Sequence, residues 1–268
     1  MVPSEYHPRL AGATLAITSV AYGKNVPPWI QVTDHIARKY LWAPELAQGE
    51  RVFSGLVKGV GRVAARTVSG SDARFVVELG TAAIAPLAVG GSVAVNGVCL
   101  TAVAVAASSF TADVSAATLA VTTLGRLAAG ARVNLEPPLK AGDPLDGHIV
   151  TGHVDGVGEV VSVEVVGTSK RIVVAVPAAL ARYIAAKGSV TVDGVSLTVN
   201  AVGAAEFEVN IIPHTQSVTV IGEYARGTAV NIEVDMLARY LERLVQADAR
   251  SGVDLAFLRK HGYARDDR

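Results

Sequence analysis

His148 and His153 are the side chains of this sequence best suited to move protons near neutral pH. Asp143, Asp146 and Asp155 surround them. A metal is a poor reading of this cluster. The two histidines are five residues apart across Gly147 and Gly152, not one helical turn apart, and the single cysteine, Cys99, cannot assemble a thiolate site alone. Loop histidines bonded to backbone are the plain alternative, above all for His148. Cys99 stands in an apolar run, where a lone thiol is more often a small buried hydrophobe than a nucleophile. Residues 59–64 have the outward form of a dinucleotide-binding glycine fingerprint. No helical pattern follows them, so a glycine-kinked strand is the better reading.

These residues sit inside a repeat. Gly55, Val57, Gly59, Val60, Gly61 and Val63 recur 97 residues later as Gly152, Val154, Gly156, Val157, Gly158 and Val160. Residues 91–101 recur as 188–198, Thr118 meets Thr215, and residues 133–136 meet 230–233. A gapless register of this length means two copies of one small domain. Positions where the copies disagree are then places where function broke the symmetry. Leu56 faces His153, Cys99 faces Ser196, Asn96 faces Asp193, Ala117 faces His214, Phe53 faces Val150 and Pro138 faces Asp235. Titratable groups concentrate in the second copy.

The elements that must position them read as strands. In the first copy Val57, Val60 and Val63, then residues 75–79, 92–95 and 100–105, are short, β-branched and bounded by Gly, Ser or Asp, and their counterparts behave alike. This predicts a mainly β protein of two tandem six-stranded Greek-key barrels related by the repeat. Short helical turns are expected over 81–87 and 177–186. Leu237, Tyr240, Leu241, Leu244 and Val245 form one face of a C-terminal amphipathic helix, which either docks on its own core or pairs with copies of itself. The expected division is an irregular extension over 1–51 with one short helix near 34–41, a first barrel over 52–148, a second over 149–236, and a helix with its tail over 237–268.

Composition narrows the function. The 24 basic and 24 acidic residues balance without long runs of either sign, which argues against a nucleic-acid partner. One cysteine excludes an internal disulfide. No apolar run approaches the roughly 20 residues of a membrane helix, and no secretory signal is legible, so a soluble cytoplasmic protein is expected.

Several motifs in order resemble the riboflavin synthase family. Residues 53–57 resemble its Phe-Thr-Gly-Ile-Val start, residues 96–101 its Asn-Gly-x-Cys-Leu-Thr motif, and residues 147–155 its Gly-His-x-x-x-Gly-His-Val-Asp motif. Residues 193–198, 212–215 and 231–235 match its second half, and the likeness runs from residue 52 to about residue 245. The resemblance implies an enzyme that joins two molecules of 6,7-dimethyl-8-ribityllumazine into riboflavin, with no metal or organic cofactor. It implies a homotrimer gathered by the C-terminal helix, with each active site between two subunits, and it leaves open an association with lumazine synthase. A non-catalytic lumazine- or flavin-binding protein on the same double barrel is the alternative; retention of His148, His153 and Cys99 favours the enzyme.

Roles follow by resemblance. His153 is the expected base or proton shuttle, with His148 beside it. Ser92 and Cys99 line the first pocket, Asp235 reaches from a neighbouring subunit, and Phe53 covers the pocket with its ring. Substrate contacts are expected from Gly55, Val57, Thr101, Thr118, Lys187, Ser196, Thr198, Ile212, Pro213, His214 and Thr215. The chain departs from the family where Asp146 replaces a usual Gly, Ala117 a frequent acid, and Val98 an occasional second Cys. It also carries 51 residues before Val52, where family members begin. Val52 stands at the family's initiator Met, so the extension is either a mis-assigned leader or an irregular arm that turns away from the pocket mouth near Gly49 and Glu50.

Overall fold

Alternation decides the strands. In β4 (Asp72–Glu78), Ala73, Phe75 and Val77 are buried, while Asp72, Arg74 and Glu78 between them are exposed. The computed structural model describes residues 9–10, 13–14, 52–84 and 87–250. It divides into a unit Met1–Gly49 and a unit Glu50–Arg268. In the first, β1 (Arg9–Leu10) and β2 (Ala13–Thr14) pair antiparallel. The helix expected near 34–41 lies outside the described residues.

The second unit forms two closed barrels. β3 (Gly59–Ser69), β4, β5 (Ser92–Val95), β6 (Val98–Val105), β7 (Ser109–Val114) and β8 (Arg132–Glu136) close in the order β3-β4-β7-β6-β5-β8. β9 (Gly156–Val166), β10 (Ser169–Ala175), β11 (Ser189–Val192), β12 (Val195–Val202), β13 (Glu206–Ile211) and β14 (Ala229–Val234) close in the equivalent order. Even the irregularities repeat: β6 shifts register against β7 after Ala102, and β12 against β13 after Val199, 97 residues on. Closure leaves no free sheet edge. Phe75, Phe110 and Leu135 fill the first barrel, and Ile172, Phe207 and Ile232 the second. Each contributes about 1.5–3 kcal/mol by leaving water.

The helices differ from expectation. Residues 81–84 form no helix: Thr81 and Ala83 donate their N–H groups to Val60 O and Lys58 O, so alternate N–H groups of this stretch are tied to the β3 side of the barrel. The counterpart is helical only over Ala178–Ala181, where Leu180 is buried. Helices that periodicity missed follow β7 and β13, at Ala116–Val121 and Pro213–Val218. Their signals are at the ends, with Ser115 capping the first and Pro213 opening the second.

Buried polar side chains join the barrels. Asn134 donates its side-chain N–H to Asp193 O (2.9 Å) and accepts from Val220 N (2.8 Å), both in the second copy. Asn231 returns the pattern, donating to Asn96 O (2.8 Å) and accepting from Thr123 N (2.7 Å). Each asparagine thus satisfies its amide on the opposite copy, at a net gain of about 1 kcal/mol per bond.

Candidate active site

Two hairpins carry the candidate chemistry on their outward faces. Along β6, Val98, Leu100 and Ala102 point into the core, so Cys99 and Thr101 point out. Ser92 pairs with Thr101, and Ala94 with Cys99. The second copy presents Ser189 beside Thr198 and Thr191 beside Ser196 in the same way. The hairpins turn at Asn96-Gly97 and Asp193-Gly194 with positive φ at all four residues, a twist that suits two-residue loops.

The loop that leads into each barrel crosses to the mouth of the other. Gly152 O accepts the Cys99 N–H at 2.9 Å, and Val154 packs on the first barrel's core. Gly55 O accepts the Ser196 N–H at 2.8 Å, and Val57 packs on the second barrel's core. Both glycines have positive φ, +77° and +75°, and a Cβ on either would lie 2.6 Å from the Cβ of Cys99 or Ser196. Only glycine allows this approach. His153 therefore follows directly on the loop laid over Cys99, and it is exposed. Leu56 takes the equivalent place beside Ser196.

Buried carboxylates fasten both loops. Glu233 accepts from Thr151 N (2.7 Å), Thr151 Oγ1 (2.8 Å) and Gly152 N (3.0 Å). Glu136 accepts from Ser54 N (2.7 Å), Ser54 Oγ (2.8 Å) and Gly55 N (3.1 Å). Burial pushes both carboxyls above their ordinary values, against the pull of these donors. No role is legible for either in the sequence beyond their match across the repeat.

The two histidines part company. His148 is buried in the second mouth, its Nδ1 2.8 Å from Ser196 Oγ and its Nε2 without a hydrogen-bond partner among the described residues. Burial pushes the imidazole below its usual value, partly opposed by the negative charge of Asp235. Asp235 accepts the Leu237 N–H at 3.0 Å, at the start of the C-terminal helix. Ser196, His148 and Asp235 thus gather at one mouth, while Ser92, Cys99, Thr101 and His153 gather at the other.

Phe53 departs from expectation. It is fully buried, bridged backbone to backbone with Val150, and packed with Ala94 and Cys99 between the barrels. Its ring is part of the seam and does not cover an open pocket in this chain. Thr118 lies in the helical turn after β7, where its N–H donates to Ser115 Oγ. Ile212, Pro213, His214 and Thr215 occupy the equivalent turn after β13. Lys187 is exposed in the turn before β11, at φ +67°. Among the described residues no three of His, Cys, Asp and Glu converge as metal ligands, and no helix is long and apolar enough to cross a membrane.

The lumazine binding domain family matches residues 54–137 and again 151–235. Riboflavin synthase from Photobacterium phosphoreum is 43% identical over 216 residues, covering 79% of this chain and 99% of that protein. The Mycobacterium tuberculosis (strain ATCC 25618 / H37Rv) riboflavin synthase is 46% identical over 200 residues, covering 73% and 99%. Among solved structures, LumP complexed with riboflavin superposes with a TM-score of 0.62 at 23% identity, covering 68% of this chain and 98% of that one. LumP complexed with 6,7-dimethyl-8-(1'-D-ribityl) lumazine gives 0.59 at 22%, and at these identities both show the fold alone. Two copies of the domain, and identity above 40% across nearly the whole length of these synthases, establish that the chain belongs to the riboflavin synthase family.

Proposed function

We propose that this chain is a transferase that joins two molecules of 6,7-dimethyl-8-ribityllumazine. One gives a four-carbon unit to the other, yielding riboflavin and 5-amino-6-ribitylaminopyrimidinedione, the last step of riboflavin biosynthesis. The observation that carries this reading is a pair of mouths built on one plan but armed differently. Two identical substrates need two related pockets, and a transfer between them needs unequal chemistry. His153 takes the proton that one lumazine must lose from its C7 methyl group, because it stands exposed on the loop laid over Cys99. Ser92 and Cys99 hold the ring beside it. Thr101 and Thr198 offer hydroxyls to the amide-like edges of the heterocycles. Holding the rings face to face supplies much of the rate.

The reading includes a cytoplasmic homotrimer. Its support is the C-terminal helix Met236–Arg250, which docks on its own chain by its polar side: Glu242 pairs with Arg182 and Tyr183, and Arg239 with Asp155. Leu237, Tyr240, Leu241, Leu244 and Val245 are left 59–67% exposed along one stripe, a pattern that copies of the same helix would cover.

Purified protein mixed with the lumazine tests the function. One riboflavin formed per two lumazines consumed is expected. Tight lumazine binding with no riboflavin would overturn the enzyme reading in favour of a binding protein. Sedimentation of the full chain against a form with Leu241 and Leu244 changed to Gln is expected to show a trimer and a monomer.

A further inference from the structure

The loop that carries His153 is held at both ends by β14, and one of the two holds has no counterpart in the first copy. Before His153, Glu233 fastens Thr151 and Gly152, as Glu136 fastens Ser54 and Gly55. Beyond it, the Asp155 N–H donates to Ile232 O at 2.8 Å, as the Lys58 N–H donates to Leu135 O at 2.9 Å. There the symmetry ends. The Asp155 carboxylate, 2% exposed, accepts the Val234 N–H at 2.7 Å and pairs with Arg239 on the C-terminal helix. At the matching places in the first copy stand Lys58, which is exposed, and Pro137, which has no N–H to give. The added fastening occurs in the copy whose loop holds a histidine and is missing where that loop holds Leu56.

We propose that Asp155 is a positioning residue that locks the His153 loop onto β14 and ties its placement to the C-terminal helix through Arg239. This rests on the reading that His153 handles a substrate proton. The helix thereby acquires a second role. A shift of the helix on assembly is felt, through one buried carboxylate, two residues from the histidine. Small misplacements of a catalytic group cost large factors in rate, so an otherwise costly buried charge has a use here.

The test is steady-state kinetics of the full-length chain carrying Asp155→Ala, Asp155→Asn or Arg239→Met, each with His153 intact and with His153→Gln. Asp155→Ala is expected to lower kcat about tenfold with KM changed less than about twofold. Asp155→Asn, which keeps an acceptor for Val234 N–H, is expected to recover most of that loss. Arg239→Met alters an exposed side chain and leaves the Val234 N–H bonded to Asp155, so it carries the test if Asp155→Ala does not fold; about a threefold fall in kcat is expected. In the His153→Gln background each change is expected to cost less than about twofold. Losses that multiply in full there, or that fall on KM alone, overturn the proposal. So does wild-type kcat in Asp155→Ala or Arg239→Met while His153→Gln is slow. Wild-type kcat in His153→Gln by itself overturns the reading beneath and the proposal with it.

Discussion

The mouths of the two barrels share a backbone and differ in chemistry. In each, a glycine carbonyl from the opposite copy takes one hairpin N–H, and a buried glutamate fastens the crossing loop. Onto that common frame the first mouth puts Cys99 with His153 beside it, and the second puts Ser196, a buried His148 and Leu56. Duplication supplied the frame, and its close repetition marks what is needed to fold. At the mouths the copies diverge in the side chains that this frame presents, Cys99 against Ser196 and Leu56 against His153.

The strongest test of the shared frame is to disturb it equally on both sides. Gly152→Ala and Gly55→Ala each force a non-glycine residue to positive φ and a Cβ into a 2.6 Å contact. Both are expected to cost about 3 kcal/mol in urea unfolding, and unequal costs would show that the seam is less symmetric than its hydrogen bonds. Divergence is tested by the histidines. His153→Gln is expected to lower kcat about a hundredfold, and His148→Gln less than about tenfold, because His148 is buried against Ser196. The opposite ranking would move proton handling to the second mouth.

A third contrast lies at the seam, where Asp193 stands opposite Asn96. Burial lifts the Asp193 carboxyl from 3.8 to about 6, although Tyr224 OH and Asn231 N–H both donate to it. A carboxyl raised in the folded state lends its stability in full below its unfolded value, and that contribution is lost as pH rises through about 6. Asp193→Asn is therefore expected to flatten the fall in stability between about pH 4 and 6 by on the order of 3 kcal/mol, read from urea midpoints at several pH values. Asn96→Asp should add a steeper fall, because Leu127 stands where the second copy has Tyr224. The smallest effect is expected at Asp146, which holds φ +24° where the family usually has glycine. Asp146→Gly should raise stability by about 0.5–1 kcal/mol in thermal melts, while Ala in the same place should not.

The strands and both barrels were legible because alternation and turn residues are local signals repeated twice. That Cys99, Thr101, Ser196 and Thr198 face outward came only with the observed alternation of β6 and β12. The helices after β7 and β13 were overlooked because each is six residues long, too short for periodicity to show, and their caps are single residues. Residues 81–84 looked helical but bond back toward β3, a long-range choice no local pattern contains. The resemblance implies a lid at Phe53, and only the bridge to Val150 shows its ring in the seam of this chain.

Sequence alone determined that one domain was written twice, which residues broke the repeat, and the family to which the motifs point. Those are properties of order and spacing along the chain. Only the folded chain decided that each leading loop crosses to the other barrel, that His148 and His153 lie at different mouths, and that Asp155 links the histidine loop to the helix. Such contacts join residues from about 50 to about 140 positions apart, through carbonyls, N–H groups and carboxylates that most proteins possess. Their partners are chosen by closure of the barrels and by burial, and neither is visible until the chain has folded.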